Sequence, residues 1–112
     1  MTLCLLALHL VGPHPPDPLV IRGVASWYDE DSVTATGVRY DPDGMTCAMR
    51  PPVRLGATVR VTRRDTGASV VLRCSDRGPY VQGRVVDVSR AAARQLAMLT
   101  AGLAPVAVEV ER

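Results

Sequence analysis

The chain contains no lysine and no phenylalanine, so all 13 of its basic side chains are arginine. Its net charge is only +2, and Arg63 and Arg64 are its one pair of neighbouring basic residues. Proteins that bind nucleic acid usually concentrate basic residues on one face, with aromatic side chains nearby. The scattered arginines therefore argue against nucleic acid as a partner.

The chain also lacks a long apolar run, and the apolar stretch at residues 2–12 is too short to cross a bilayer as a helix. No basic residue precedes Arg22 and no small-x-small cleavage site is clear, so a secretory signal peptide is not convincing. Four prolines between residues 13 and 18 form a connector unsuited to a helix or a central strand. We expect residues 1–18 to be an arm that contacts a partner chain, a membrane surface or the outside of the domain, which spans residues 19–112.

Cysteine and histidine are scarce. Of three cysteines, Cys4 lies in the apolar stretch, whereas Cys47 and Cys74 lie in the patterned region and are the natural pair. A disulfide between them would indicate an oxidising compartment, and the alternative is two buried free thiols. His9 and His14 have no cysteine or carboxylate at metal-ligand spacing, so we expect no metal. No phosphate-binding loop is visible, and we expect no cofactor.

Short β-patterns dominate the rest of the sequence. Residues 57–64 alternate apolar and polar side chains, and a glycine-containing turn at residues 65–67 leads into a second such segment. Ser89 is a suitable N-cap for the one segment that is typical of a helix, residues 90–98. Many short strands with one helix before the last strand predict a mainly β fold, a small closed barrel, since closure removes exposed strand edges.

Six segments share the order and spacing of a known family. They are GVASWY at 23–28, TATGVRYD at 34–41, MTCAM at 45–49, LGATVRV at 55–61, SDRGPY at 75–80 and GRVVDVSRAAA at 83–93. Over residues 23–110 the chain resembles the rare lipoprotein A family. The resemblance implies a six-stranded double-psi β-barrel, shared more distantly with expansins and the membrane-bound lytic transglycosylase A group. It also implies cleavage of peptidoglycan glycan strands that leaves 1,6-anhydro ends without using water.

The same resemblance places one catalytic residue and omits two others. The family's catalytic Asp corresponds to Asp76, whereas its acidic residue and its His correspond to Val38 and Met49. A lytic transglycosylase uses the substrate's own C6 hydroxyl as nucleophile, so a single carboxyl group can act first as acid and then as base. The alternative for Asp76 is a carboxylate that holds its loop by accepting backbone N–H bonds.

Other side chains near Asp76 are candidates for contact with the glycan. We predict substrate binding by five of them: Tyr28, Tyr40, Met49, Arg77 and Tyr80. Tyrosine suits stacking on sugar rings because it has an apolar body and a polar tip. Asp87 precedes the helix cap, and we interpret it as structural.

Three functions remain open from the sequence. The first is a lytic transglycosylase that acts on peptidoglycan through Asp76. The second is a module that binds cell-wall glycan without cleaving it, and the third is a structural component of a phage tail or envelope assembly that uses residues 1–18 to bind a protein partner. All three predict a location in the cell envelope, outside the cell or on a virion.

Overall fold

The structure is a computed structural model that describes residues 18–111. The predicted arm therefore lies, except for Pro18, outside the described residues. In chain order the elements are β1 (Leu19–Trp27), β2 (Thr46–Ala48), β3 (Thr58–Arg63), β4 (Ser69–Asp76), β5 (Arg84–Val88), α1 (Arg90–Gln95) and β6 (Leu103–Val110). Within this part of the chain, no helix is both long and apolar enough to span a membrane.

The six strands form a closed barrel in the order β1-β5-β2-β4-β3-β6. Strand β6 closes the barrel because it pairs in antiparallel fashion with both β3 and β1. Two pairs are parallel, β1 with β5 and β2 with β4, so the sheet is mixed. Across residues 18–111, the predicted fold of a mainly β barrel of six strands with one short helix is confirmed.

Apolar side chains fill the barrel interior, because apolar and polar residues alternate along the strands. In β4, Val70, Leu72 and Cys74 are buried while the residues between them are exposed. Strand β3 contributes Val59 and Val61 to the same interior in the same way. Side chains of successive residues in a strand point to opposite faces, so each strand gives the core every second residue.

Helix α1 is shorter than the sequence predicts. It starts as expected, because the Ser89 Oγ accepts a hydrogen bond from the Ala92 N–H at 3.2 Å. It ends at Gln95 instead of continuing to residue 98, and Ala97 has a positive φ of 54°. This turn lets both Leu96 and Met98 be fully buried in the core.

The loop after β1 folds back over the outer face of the barrel. An antiparallel bridge between Val33 and Arg39 makes a small hairpin within it. The Arg90 guanidinium, at the start of α1, pairs with Asp29 and Asp43 near the two ends of this loop. The loop is therefore held against the strands that carry the polar residues described next.

Candidate functional site

One row of residues crosses four neighbouring strands on the outside of the barrel. Ser26 in β1 pairs with Asp87 in β5, Asp87 pairs with Ala48 in β2, and Ala48 pairs with Asp76 in β4. Residues that pair directly across strands have their side chains on the same face. Because strands are about 4.8 Å apart, the backbones of Asp76 and Asp87 are about 10 Å apart. Two half-buried carboxyl groups thus share one face of the sheet, with the buried residue Ala48 on the strand between them.

The Asp76 carboxyl group is anchored through one of its two oxygens. Its Oδ1 accepts hydrogen bonds from the N–H groups of Ala35, at 3.0 Å, and Arg77, at 2.9 Å. Within residues 18–111, Oδ2 accepts no hydrogen bond from another residue. Asp76 is half-buried. One oxygen therefore fixes the orientation of the carboxyl group while the other remains available for chemistry.

The second carboxyl group, Asp87, is held by Ser26, whose hydroxyl donates to Asp87 Oδ1. The loop after β4 passes close to Asp87 at Gly78, where an added Cβ would lie 3.9 Å from Asp87 Oδ2. Gly78 has a φ of +124°, which strongly favours glycine at this position. The Asp-Arg-Gly-Pro loop therefore links the two carboxyl groups through its backbone.

Two stacked tyrosines lie beside this row. The rings of Tyr28 and Tyr40 are 4.4 Å apart between centroids. The Tyr40 hydroxyl donates to the Tyr28 carbonyl oxygen at 2.6 Å and accepts from the Arg90 N–H at 3.1 Å. Burial raises the pKa of both phenols, and the nearby negative charge of Asp76 raises that of Tyr28 further. Both phenols are therefore neutral, protonated groups near neutral pH.

The rim of the site is apolar and exposed. Tyr80 is 77% exposed, and Val81 follows it in the loop after β4. Val33 and Val38 are exposed in the hairpin of the preceding loop. The Tyr80 ring lies close to Gly78, as does Asp87, and an exposed aromatic ring near a carboxyl group is suited to contact with the face of a sugar ring.

Not all of the predicted site residues meet at this surface. Met49 is 1% exposed and belongs to the core, so its side chain is not part of the outer cluster. The reason is a β-bulge in the pairing of β2 with β4, which places Ala48, and not Met49, opposite Asp76. The structure therefore places the Met49 side chain in the core, and its predicted contact with the glycan stays a prediction.

Arg77 and Tyr40 also have structural partners. The Arg77 guanidinium donates to the carbonyl oxygens of Met49 and Val53, so it holds the segment after β2 and makes no ion pair with Asp76. Tyr40 is only 5% exposed. The structure thus brings Tyr28, Asp76 and Tyr80 to one surface region, and assigns Arg77 and Tyr40 to its support.

The predicted cysteine pair is adjacent but not bonded. Cys47 and Cys74 are opposite each other in paired strands, and both are fully buried free cysteines. The neighbouring Cys47 thiol lowers the pKa of Cys74, and the Arg77 charge acts in the same direction. The neighbouring Cys74 thiol and burial raise the pKa of Cys47. Of the two interpretations offered by the sequence, the structure contains buried free thiols and not the predicted disulfide.

Sequence reasoning missed Asp87 and its partner Ser26. The signal that could have found Asp87 is a carboxylate within RVVDV, a strand whose other central residues are all valine. A charged residue in an apolar strand needs a partner or an open face. That Ser26 is its neighbour could not be seen from the sequence, because this depends on the register between β1 and β5.

Known proteins resemble this chain in sequence and in fold. A family model described as "Lytic transglycolase" matches residues 20–108. The probable endolytic peptidoglycan transglycosylase RlpA of Nostoc sp. is 46% identical over 97 residues, which are 82% of this chain and 26% of that protein. The endolytic peptidoglycan transglycosylase RlpA of Pseudomonas aeruginosa is 46% identical over 90 residues, 78% of this chain and 26% of that protein. The chain thus spans about a quarter of the length of these curated relatives.

Solved structures share the fold at low sequence identity. The Streptomyces papain inhibitor superposes with a TM-score of 0.70 at 20% identity, covering 84% of this chain and 96% of the inhibitor. An expansin of Clavibacter michiganensis superposes with a TM-score of 0.66 at 23% identity, covering 84% of this chain and 51% of the expansin. With most of its length matched by the family model, the chain belongs to the lytic transglycolase family of RlpA-like double-psi β-barrels.

Proposed function

We propose that this domain cleaves the glycan strands of peptidoglycan as a lytic transglycosylase, with Asp76 as its acid/base residue. The observation that carries the proposal is the state of the Asp76 carboxyl group, which has one oxygen fixed by two backbone N–H groups and one oxygen unengaged. Relatives that are 46% identical to it over the matched 90 to 97 residues are named as peptidoglycan transglycosylases, which supports this substrate.

A single carboxyl group can complete the reaction. Protonated Asp76 donates its proton to the glycosidic oxygen, and the bond between that oxygen and the anomeric carbon breaks. The C6 hydroxyl of the same sugar then attacks the anomeric carbon, and its proton passes to the Asp76 carboxylate. The products are a 1,6-anhydro end and a free hydroxyl on the leaving strand, and Asp76 regains its starting form without water being consumed.

The surroundings of Asp76 supply binding groups for the sugars. Tyr80, the most exposed aromatic residue near the site, would stack on the face of a ring. Asp87 keeps Ser26 on its Oδ1 and can accept a sugar hydroxyl through Oδ2. The exposed side chains of Val33 and Val38 extend the apolar surface along the hairpin. The natural partner is then a peptidoglycan glycan strand, and the place of action is the cell envelope.

The test compares the Asp76→Asn variant with the parent protein on purified peptidoglycan sacculi. Asn keeps an oxygen that can accept both backbone N–H bonds, so the urea midpoint should change little. Release of anhydro-ended fragments, followed by mass spectrometry, should fall about 100- to 10,000-fold, as is typical for loss of acid/base catalysis. Asp65→Asn is the matched control, because Asp65 is a surface carboxyl group in the turn between β3 and β4.

Two outcomes would contradict the proposal. One is an Asp76→Asn variant that cleaves like the parent protein. The other is a parent protein that binds sacculi but releases no anhydro ends between about pH 4 and 8, a range that brackets the ordinary and raised pKa values of carboxyl groups. The second result would favour the alternative of a glycan-binding module without activity.

A further inference from the structure

The orientation of Tyr28 follows from its place in the sheet. Tyr28 comes directly after β1, and its N–H donates to the carbonyl oxygen of Val88 at 3.3 Å, so it extends the pairing of β1 with β5. Ser26, two residues earlier, has its side chain on the outer face with Asp87. Because side chains alternate along a strand, Tyr28 shares this face with Ser26. Its ring is then covered by Tyr40.

The hydroxyl group of Tyr28 differs from that of Tyr40 in its bonding. Tyr40 Oη makes two hydrogen bonds, one as donor and one as acceptor. Tyr28 Oη is buried and has no hydrogen-bond partner among the described residues. A buried polar group without a partner is costly, and native structures contain few of them. The burial of the Tyr28 hydroxyl without a partner therefore requires a functional or structural explanation.

Asp76 offers an acceptor for this hydroxyl on the same face of the sheet. After burial, the Asp76 charge is the largest contribution to the raised pKa of Tyr28, ahead of those of Tyr40, Cys47 and Asp87. Between Asp76 and Asp87 lies Ala48, whose side chain is only a methyl group. Asp76 Oδ2 accepts no bond from another described residue, so an unpaired donor and an unpaired acceptor occupy the same face. In free enzymes, catalytic hydrogen bonds are often long and shorten only when substrate is bound.

We propose that Tyr28 is a positioning residue for Asp76. The Tyr28 hydroxyl donates a hydrogen bond to Asp76 Oδ2 once the Asp76 carboxyl group has given up its proton. This inference rests on the proposed function. The phenol acts as a neutral donor and moves no proton of its own, so the chemical balance of the reaction is unchanged. Its effect is to stabilise the carboxylate formed midway through the reaction, because a hydrogen bond to the charged form favours that form.

The matched pair Tyr28→Phe and Tyr40→Phe tests this assignment. Tyr28→Phe removes only an unpaired hydroxyl, so its urea midpoint should equal or exceed that of the parent protein. Its kcat should fall about 10- to 100-fold, as for loss of a hydrogen bond to a charged group, with KM changed less than about twofold. The alkaline limb of its pH–activity profile should move to higher pH. Tyr40→Phe loses two hydrogen bonds, so it should lower the urea midpoint and leave the alkaline limb in place.

A second measurement does not depend on activity. The ionisation of Tyr28 can be followed by ultraviolet difference absorbance and assigned with Tyr28→Phe. In Asp76→Asn the nearby negative charge is gone, so Tyr28 should ionise at lower pH than in the parent protein. If this shift appears but the parent protein cleaves no glycan, the Asp76 charge does act on Tyr28 and the proposed function fails.

Any of three results would overturn the inference while leaving the proposed function intact. The first is an active parent protein whose Tyr28→Phe variant has the same kcat and the same pH profile. The second is a Tyr28 ionisation that does not change in Asp76→Asn. A Tyr28→Phe variant that loses stability and activity in the same proportion would also overturn it, because the hydroxyl would then be structural.

Discussion

Replacing Met49 by His, the residue that the family resemblance implies at this position, should weaken the barrel by about 2–4 kcal/mol. Met49 is 1% exposed, and burial of such a side chain contributes about 1.5–3 kcal/mol. An imidazole in the same place recovers part of this burial but adds a polar group without a partner, at about 1–3 kcal/mol. The loss is a large share of the 5–15 kcal/mol that is typical of a whole domain.

Urea unfolding followed by tryptophan fluorescence measures this loss. Trp27 is the only tryptophan; it packs against the core, and its Nε1–H donates to the Leu99 carbonyl oxygen at 3.3 Å. Met49→Leu is the matched control and should cost less than about 1.5 kcal/mol, because it conserves volume and polarity. Val38→Glu, at a position 67% exposed, should change stability by no more than about 0.5 kcal/mol.

A Met49→His variant within about 0.5 kcal/mol of the parent protein would refute this reasoning. Such a result would mean that the imidazole leaves the core and reaches the outer face. A simultaneous gain in glycan cleavage would then show that the side chain at this position can act beside Asp76. The burial of Met49 would no longer explain its absence from the site.

Two further predictions concern the tyrosines and the loop after β4. Burial raises the pKa of Tyr28 and Tyr40, so above about pH 10 the unfolded chain loses phenol protons that the folded chain keeps. Above about pH 10 the unfolding free energy should then fall by up to about 1.4 kcal/mol per pH unit for each tyrosine; urea midpoints that stay constant from about pH 10 to 11 would contradict this. Gly78→Ala should cost about 1–3 kcal/mol because φ is +124° there, although the nearest atom is 3.7 Å from the added Cβ. An unchanged urea midpoint would show that the loop relaxes without strain.

The strands of the barrel were predictable from local pattern. Alternation in residues 57–64 and the glycine-containing turn after it indicate the β3–β4 hairpin, and Gly67 indeed has a positive φ of 82°. The start of α1 was equally clear from Ser89. Its end was not, because the reversal at Ala97 depends on how Leu96 and Met98 pack into the core. Local propensity says little about such a tertiary requirement.

The outer face of the site could not be predicted because it depends on β-bulges. Strict alternation from Cys74 places Asp76 on the inner face with Met49, whereas the bulge between β2 and β4 pairs it with Ala48 on the outer face. A one-residue change in register moves a side chain to the opposite side of a sheet. The family resemblance identified Asp76 but did not show this pairing or the burial of Met49 in the core.

Asp87 and the Tyr28 hydroxyl were hidden for a related reason. Asp87 is 61 residues from Ser26 in the sequence, and only the parallel pairing of β1 with β5 brings the two together. That the Tyr28 hydroxyl has no partner is a property of the folded packing, which a sequence pattern does not encode. The residue types therefore indicated acid/base chemistry, and the register of the strands determined which polar groups lie on the same face as Asp76.

The most direct test of the central claim is a digestion of purified sacculi in water labelled with heavy oxygen. If the substrate's own C6 hydroxyl attacks the anomeric carbon, mass spectrometry should show fragment ends that are lighter by one water than hydrolysed ends and that carry no label. Asp76→Asn should release neither kind of end. Labelled, hydrolysed ends from the parent protein would contradict the account, because they would show that water is the nucleophile and that Asp76 does not act alone.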